Sequence, residues 1–554
     1  MQITELQKKL LLNRGIAESE WEQFLSPSWE RDLHDPFLMK DMKVAVDRIL
    51  QAIKTNEKIA IFADYDADGV PGAAMWQDFF EQIKFSNFLI YIPDRHNEGF
   101  GLNNEAVKHL VSQGVKLLIT LDCGITDCAE VNLAQQLGLE VIITDHHLPP
   151  EQLPNAVAIV DPKRVDDEYP EKMLCGCAVA FKLLSAILQT ENFGLKQGAE
   201  KWWMDLVAIS TCSDMVPLLN ENRVLAKYGL LVLQKTRRLG LQTLFALTRT
   251  DPRFLNETNI TFTITPRINA ASRMGQTKLA FDLLTAKNEI DAKDLANQLE
   301  KLNKERKVWV TKIVKEAKRE LKARQEKIQY DGVIVLGNKH WRPALLGLVA
   351  NSLLDEYQVP IFLWGQEGAE LIKGSCRSTT EISAVEIMQL VKGNFFEDCG
   401  GHHASGGFSL LPEKIFELEE KIIAAVKELT NHDTKKESSK FFIDETLRLS
   451  EVNEQLFQEV EQLAPFGEAN QRPTFIFKNL QADKIEQFGK EGGHLKINFT
   501  SEFGQKIEAI AWFATVESFT KTITVVDTFT LIAQLEKTWF GKVPQLRLHI
   551  IDIV

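Results

Sequence analysis

The chain of 554 residues is too long for one hydrophobic core, and at ~150 residues per domain it divides into two to four. Hydrophobic content of 44% and charged content of 25% are those of an ordinary globular protein, and no apolar run reaches the ~20 residues that span a bilayer. A net charge of −13, from 64 basic and 77 acidic residues, argues against a non-specific polyanion binder but leaves room for a locally basic channel.

The opening "MQITELQKKLLLNRGIAESE" lacks a signal peptide's apolar region and cleavage site, so a cytoplasmic protein with no membrane association is expected. Residues 1–45 read as an N-terminal segment. From about 58 to 161 a unit repeats. The apolar runs "KIAIF" (58–62), "NFLIYI" (87–92), "VKLLITL" (115–121), "LEVIIT" (139–144) and "AVAIV" (156–160) recur. Between most of them lie helical stretches such as "NNEAVKHLVSQG" and "DCAEVNLAQQLG", each ending in Gly as helix C-termini often do. Continuous apolar strands alternating with helices predict a parallel sheet covered on both faces, a doubly wound α/β domain spanning 46–285.

Polar residues follow these strands directly. "ADYDADG" brings Asp64, Asp66 and Asp68; "PDRHNEG" brings Asp94, Arg95 and His96; then come Asp122 in "DCG", Asp145-His146-His147 in "DHH", and Asp161. In open α/β sheets the site forms beyond the carboxyl ends of the strands, so acids ~25 residues apart in sequence become neighbours. From 162 to about 285 the pattern is mostly helical, with "WWMDLVAISTCSDMVPL" running into Asp214.

Residues 286–330 read as one long connecting helix. Leu295, Leu299, Leu302, Trp309, Ile313, Ala317 and Leu321 step by threes and fours, and the helix could bridge ~45 Å between two domains. A smaller α/β domain follows at 331–432, with the strands "GVIVLG" and "PIFLWG" and the Gly-rich "CGGHHASGGF". "NHDTKKESSK" (431–440) reads as a linker. Residues 441–554 hold several short strands and predict a small β-barrel. The seven cysteines are odd in number and lack zinc-knuckle spacing, which predicts buried free thiols.

Asp64, Asp66, Asp68, Asp122, Asp145, His146, His147 and Asp214 together pose an electrostatic problem. Six carboxylates in one pocket would repel each other and resist ionisation. Divalent cations remove the difficulty, and a carboxylate and imidazole set suits Mn²⁺ or Mg²⁺. Two ions sharing a bridging carboxylate would lie ~3.5–4 Å apart and activate water against phosphorus. Any single Asp here equally fits a helix cap or turn; the set on successive strand ends does not.

"DYDADG", "LDCG", "TDHH" and "CSDMVP", in that order, resemble the metal-binding motifs of the DHH phosphoesterase superfamily. "LHDPFLMKDM", "YIPDRHNEGFGL", "PRINAASRMG", "KGSCRS" and "GGHHASGG" are similar to the RecJ single-strand DNA exonucleases within it, and the likeness runs from about residue 33 onward. The resemblance implies that Asp66 and Asp68 bind metals with Asp64 beside them. Asp122 would bridge, and His146 and Asp214 would complete the shells. His147 would meet the scissile phosphate, with Asp145 orienting a His. Many superfamily members carry a His just upstream of the first acidic motif; here that place is Ala63, as in RecJ-like members.

In the second α/β block, "GGHHASGG" offers backbone N–H groups with His402 and His403, a phosphate cradle, although a Gly-rich turn beside a core His would read the same. The resemblance makes this the DHH-associated domain, with Ser375, Arg377 and Arg95 forming a pocket for a terminal 5′-phosphate, which Arg binds through its planar fork. Arg267 and Arg273 fit further strand contacts and equally fit structural arginines. The terminal barrel is similar to an oligonucleotide-binding (OB) fold. Trp539 and Phe540, near Lys537 and Lys542, fit a base-stacking platform and equally fit a hairpin core. "APFGEANQRPTF" (464–475) is another resembling stretch whose role physics alone does not supply.

The expectation is a two-metal, 5′→3′ single-stranded-DNA exonuclease of repair and recombination. It would be a monomer working with single-strand-binding protein and a helicase. The alternatives are a small-substrate DHH phosphoesterase, acting on oligoribonucleotides, cyclic dinucleotides or pyrophosphate, and a non-catalytic DNA- or replisome-binding scaffold.

Overall fold

The computed structural model describes residues 3–324, 332–391, 393, 395–430, 442–489, 493–538 and 544–554. Its first sheet comprises β1 (Ile59–Ala63), β2 (Phe88–Tyr91), β3 (Leu117–Leu121), β4 (Glu140–Thr144) and β5 (Ala158–Val160). All five are parallel, in the order β2-β1-β3-β4-β5. Successive side chains of a strand point to opposite faces. Ile59, Ile61 and Ala63 therefore join one core with the helices Met42–Lys54, Gly69–Gln82 and Gly176–Thr190. Ala60 and Phe62 join a second core with the helices Asn104–Ser112 and Cys128–Gln136. Burial on both sides is why these strands read as unbroken apolar runs. On the first face Trp76, Phe79 and Phe80 are wholly buried, each stabilising by about 2–3 kcal/mol.

From β1 the chain moves outward to β2, then crosses back to pair β3 on the other side of β1. A crevice opens beyond the carboxyl ends of the strands at such a switch point. The acidic segments after β1, β3 and β4 all lie there.

The connecting helix runs from Glu289 to Ala323, 35 residues, and is about 52 Å long. Asn288 caps it by accepting the Asp291 amide. Ala296, Leu299 and Leu302 belong to the first domain's core, whereas Ile313, Ala317 and Leu321 belong to the second domain's. One helix is thus a structural member of both. The second sheet holds β6 (Ile334–Asn338), β7 (Ile361–Gly365), β8 (Ile372–Arg377), β9 (Asp398–His402) and β10 (Ser405–Leu410), in the order β6-β7-β8-β10-β9. Only β6 and β7 pair in parallel.

The C-terminal sheet has the strand order β11-β12-β16-β17-β15-β14-β13. Its strands are β11 (Glu445–Thr446), β12 (Thr474–Leu480), β13 (Lys484–Phe488), β14 (His494–Thr500), β15 (Lys506–Ala511), β16 (Phe529–Thr538) and β17 (Gln545–Ile553). Alternate residues such as Phe475, Phe477, Ile497, Phe499, Leu531 and Leu548 converge on one core, an OB-like barrel. The expected linker 431–440 and the residues Trp539, Phe540 and Lys542 lie outside the described residues. All seven cysteines are free, and five are buried.

The segment 1–45 is not one unit. Met39, Met42 and Ala45 belong to the first domain's core, but Leu10, Leu11, Trp21, Phe24 and Leu25 belong to the C-terminal core. The helix Glu5–Asn13 lies against that domain, and Arg14 pairs with Asp444 at 2.9 Å. This arrangement explains "APFGEANQRPTF". Arg223, 1% exposed in the helix Asn220–Leu233, donates to the carbonyls of Phe24 and Ala464 at 2.8 Å each, and to those of Pro465 and Gln462 at 3.4 Å. The Leu218 amide donates to the Glu468 carbonyl, and a Cβ at Gly467 would lie 2.7 Å from Leu218. Asn470 donates to the carbonyls of Leu463 and Pro465, which holds the loop in shape. The stretch is the seam between first domain, N-terminal segment and barrel.

Removing the Arg223 guanidinium leaves buried carbonyls without donors, a loss of about 3 kcal/mol. Arg223→Ala is expected to lower the first melting transition of the full chain by roughly 6–10 °C. An unchanged transition in differential scanning calorimetry would show that this residue does not hold the seam.

Candidate active site and metal centre

Asp64 leaves the end of β1 and is 4% exposed. Two residues on, Asp66 turns the chain: its Oδ1 accepts the amides of Asp68 and Gly69, at 2.7 and 3.3 Å. The helix Gly69–Gln82 begins there, and its first residue must be Gly. A Cβ at Gly69 would meet the Asp64 carbonyl oxygen at 2.3 Å. Asp68 is held from another element. Its Oδ2 accepts the Gly176 amide at 2.6 Å and its Oδ1 the Cys177 amide at 2.7 Å, the first two N–H groups of the helix Gly176–Thr190. A helix N-terminus stabilises a carboxylate through unsatisfied amides and its dipole.

Asp122 follows β3 with φ 61°, a left-handed conformation that aims its carboxylate sideways toward β1 and β4. Gly176 makes room for it, since a Cβ there would sit 2.6 Å from the Asp122 Cβ and 2.8 Å from Oδ1. Asp145 after β4 is 1% exposed and fully engaged. Its Oδ1 accepts the amides of His146 and His147 and bonds His147 Nδ1 at 2.7 Å; its Oδ2 accepts the Ile125 amide at 2.9 Å. His146 points into the acids. Its Nε2 is 3.1 Å from Asp122 Oδ1 and 3.7 Å from Asp68 Oδ2, and its Nδ1 is 3.6 Å from Asp214 Oδ2. Asp214 caps the end of the helix Met204–Ser213.

Three overlapping donor groups result: Asp64-Asp66-Asp122, Asp68-His146-Asp214 and Asp122-His146-His147. Within each, the donor atoms lie within 4.8 Å of one another. Burial, then the neighbouring carboxylates, push Asp122 and Asp64 well above the ordinary carboxylate range; burial and Asp68 do the same to Asp214. Burial and Asp66 raise Asp68 to about 6 despite its two amides. Burial is the largest single influence on Asp145 and acts upward, but the hydrogen bond and charge of His147, the charge of His146 and the Ile125 amide together hold that acid below the usual range. Against burial, the same bond together with the charges of Asp145, Asp214 and Asp64 raises His147 to about 9, whereas burial and the neighbouring His147 depress His146 to about 3. A neutral His146 is a ligand rather than a cation.

His146 Nδ1 and Asp64 Oδ1 are buried without a hydrogen-bond partner. Buried polar atoms left so are costly, and these two belong to a hard, oxygen-rich donor set. The residues therefore fit divalent cations of the Mn²⁺ or Mg²⁺ type, and Asp122 belongs to two of the three donor groups.

Facing the acids, arginines from two domains converge. Arg95 beyond β2 lies over the Tyr65 ring, Cζ 4.9 Å from its centroid. Arg273 ends the helix Thr265–Arg273 and donates to the Ala344 carbonyl across the domain boundary at 2.7 Å. Burial, then Arg95, Arg306 and Arg377, bring Arg273 down to about 9. Arg377 at the end of β8 donates to Ser375 Oγ at 3.3 Å and to the Cys376 carbonyl. A Cβ at Gly347 would lie 2.8 Å from Arg377 Nη2 and 3.1 Å from Ser375 Oγ, so that glycine lets the helix Pro343–Tyr357 close over them.

Other expected residues are placed differently. Arg267 is committed to Glu300 of the connecting helix at 2.7 Å and to the Thr263 carbonyl, which makes it a brace between helices. The exposed His403 places Nε2 3.0 Å from the Thr380 carbonyl. His402 belongs to β9, but its side chain lies outside the described residues, as does Trp539. Asp94 caps a turn through the amides of His96 and Asn97. Sequence reasoning missed Gly176, whose signal was the "CGC" at the start of an apolar helix, and Phe100, 51% exposed with its ring 5.5 Å from that of His147.

A methyl group at Gly176 would displace Asp122 and disturb the amides that hold Asp68. Wild-type chain is expected to melt higher in millimolar Mn²⁺ than in chelator, and Gly176→Ala to lose that increment while keeping its far-ultraviolet circular dichroism. A retained Mn²⁺ increment in the variant would mean that Asp122 does not depend on this close approach.

Comparison with known proteins agrees with this layout. Family models match in chain order: the DHH family N-terminal domain at residues 58–211, the DHHA1 domain at 325–428 and the RecJ OB domain at 443–552. The single-stranded-DNA-specific exonuclease RecJ of Bacillus subtilis (strain 168) is 35% identical over 511 residues, 91% of this chain and 62% of that protein. The chain thus spans less than two thirds of that relative's length. RecJ of Thermus thermophilus is 30% identical over 491 residues, 87% of this chain and 68% of that protein. The crystal structure of T. thermophilus RecJ in complex with Mn²⁺ matches with a TM-score of 0.80 and 26% identity, covering 100% of this chain and 76% of the other. On its sequence, its fold and the order of its domains, the chain belongs to the RecJ family.

Proposed function

We propose that the chain is a divalent-cation-dependent exonuclease that degrades single-stranded DNA from its 5′ end, in DNA repair and recombination. One observation carries the reading. A donor set fit for two cations faces an arginine cluster drawn from two domains, so metal-assisted cleavage and terminal-phosphate capture share one groove. Asp64, Asp66, Asp68, Asp122, His146 and Asp214 would hold Mn²⁺ or Mg²⁺, which when bound supplies activation of water and neutralisation of charge at the scissile phosphate. Arg95, Arg273, Arg377 and Ser375 bind the terminal 5′-phosphate, setting polarity and register. Mutual repulsion and burial leave these guanidiniums short of negative charge, which a phosphate provides. Asp145 keeps the His147 ring oriented and protonated, so Nε2 faces a phosphate oxygen while Nδ1 stays on the acid. Phe100 beside His147 presents an aromatic surface to the base of the terminal nucleotide.

The C-terminal barrel, seamed to the first domain, narrows access to the groove and favours a single strand over a duplex. A small-substrate phosphoesterase has no use for that barrel, and a binding-only scaffold has no use for a complete donor set. The partners implied are single-strand-binding protein and a helicase, with the chain acting as a cytoplasmic monomer.

Asp122→Ala is expected to lower Mn²⁺-dependent release of mononucleotides from labelled single strands by on the order of 10³-fold or more; persistent hydrolysis would refute the metal assignment. Removing the substrate's 5′-phosphate should raise KM by about tenfold in wild type and by little in Arg377→Ala. An undiminished preference for phosphorylated ends in the variant would place that pocket elsewhere.

A further inference from the structure

The edge of the first sheet carries a cation that the site described above does not use. Lys163 is the third residue beyond β5. Thr144 pairs with Val160, and the Asp145 amide donates to the Val160 carbonyl at 3.1 Å. The turn after β5 therefore leaves the sheet at the same edge as His146 and His147. The buried Asp161 fixes this turn by accepting the Lys163 amide at 2.8 Å. The neighbouring Arg164 is spent on structure, bonding Asp41, Asp166 and the Ile159 carbonyl. Lys163 is not: among the described residues its ammonium makes no hydrogen bond or ion pair, and it is only partly buried. Its charge reaches His146, Asp161 and Asp214, which places it in the neighbourhood of the donor cluster.

The order of the strands gives this position a meaning. Along the carboxyl edge, Arg95 follows β2, the acids follow β1, β3 and β4, and Lys163 follows β5. Cations thus stand at both ends of the row with the metal ligands between them, four interstrand steps of about 4.8 Å apart. A polyanion lying across the edge with its terminal phosphate at the arginines and its scissile phosphate over the acids would continue toward Lys163.

We propose that Lys163 binds the phosphate on the 3′ side of the scissile linkage, as the downstream end of a track that begins at the Arg95–Arg273–Arg377 pocket. This rests on the exonuclease reading above. A lysine suits the task because it acts as a point charge and tolerates the varied geometry of a moving strand.

The test uses the full chain, Mn²⁺ and 5′-phosphorylated oligonucleotides in which one linkage is an uncharged methylphosphonate. With the second internucleotide linkage neutralised, wild type should lose about tenfold in kcat/KM. Lys163→Gln should lose about tenfold on the unmodified strand and under about twofold more on the modified one, and Lys163→Arg should keep most activity. Neutralising the fourth linkage should affect both proteins alike. The 5′-phosphate preference of Lys163→Gln should equal that of wild type. Unaltered activity of Lys163→Gln, or losses from variant and methylphosphonate that simply multiply, would overturn the proposal. A wild-type chain inactive on single strands would overturn the underlying reading, and this proposal with it. A wild type active but indifferent to the 5′-phosphate would remove only the arginine pocket.

Discussion

Carboxylates gathered away from water repel one another, and the first domain's edge is arranged around that repulsion. Asp68 is relieved by two amides at the start of one helix, and Asp145 by its imidazole neighbour. No basic side chain of the protein pairs with Asp64 or with Asp122 apart from the histidines, among the described residues. Facing them, Arg273 is in the inverse position, half-buried beside Arg95, Arg306 and Arg377. Two like-charge crowds of opposite sign thus face each other without pairing. On the reading proposed above, a strand of phosphates accompanied by divalent cations would satisfy both at once.

Much of this was legible because it is local. A strand buried on both faces must read as a continuous apolar run, and the acid that follows it must lie on the shared edge, so β1, β3 and β4 announced Asp64, Asp122 and Asp145. The connecting helix announced itself by its period. The residues that escaped are those whose partners lie far away in sequence. Arg223 looks like any helical arginine until Phe24 and Ala464 surround it. Arg267 looks like a strand contact until Glu300, 33 residues later, takes its guanidinium. Gly176 is one small residue among many, and only the distance to Asp122 shows why no methyl fits. Periodicity reports which face is buried; it does not report what the face is buried against.

The connecting helix ties the two domains together as one continuous element. Half its apolar stripe is buried in the core of each domain, so one stretch of backbone is structural in both. Arg273, reaching from one domain to a carbonyl at the start of a helix in the other, fixes the same separation near the site itself. Ser375 and Arg377 are thereby kept at the height of Arg95, although their sheet is built from a different stretch of chain.

The seam at Arg223 has a consequence for the protein's birth on the ribosome. Leu10, Leu11, Trp21, Phe24 and Leu25 are made first, but the strands that bury them begin only at residue 445. At 5–20 residues per second those apolar side chains wait roughly 20–90 s for their partners. During that interval both α/β domains can fold, and the nascent segment remains open to holdase chaperones. Synthesis of the barrel strands is then what completes the burial of Leu10 to Leu25.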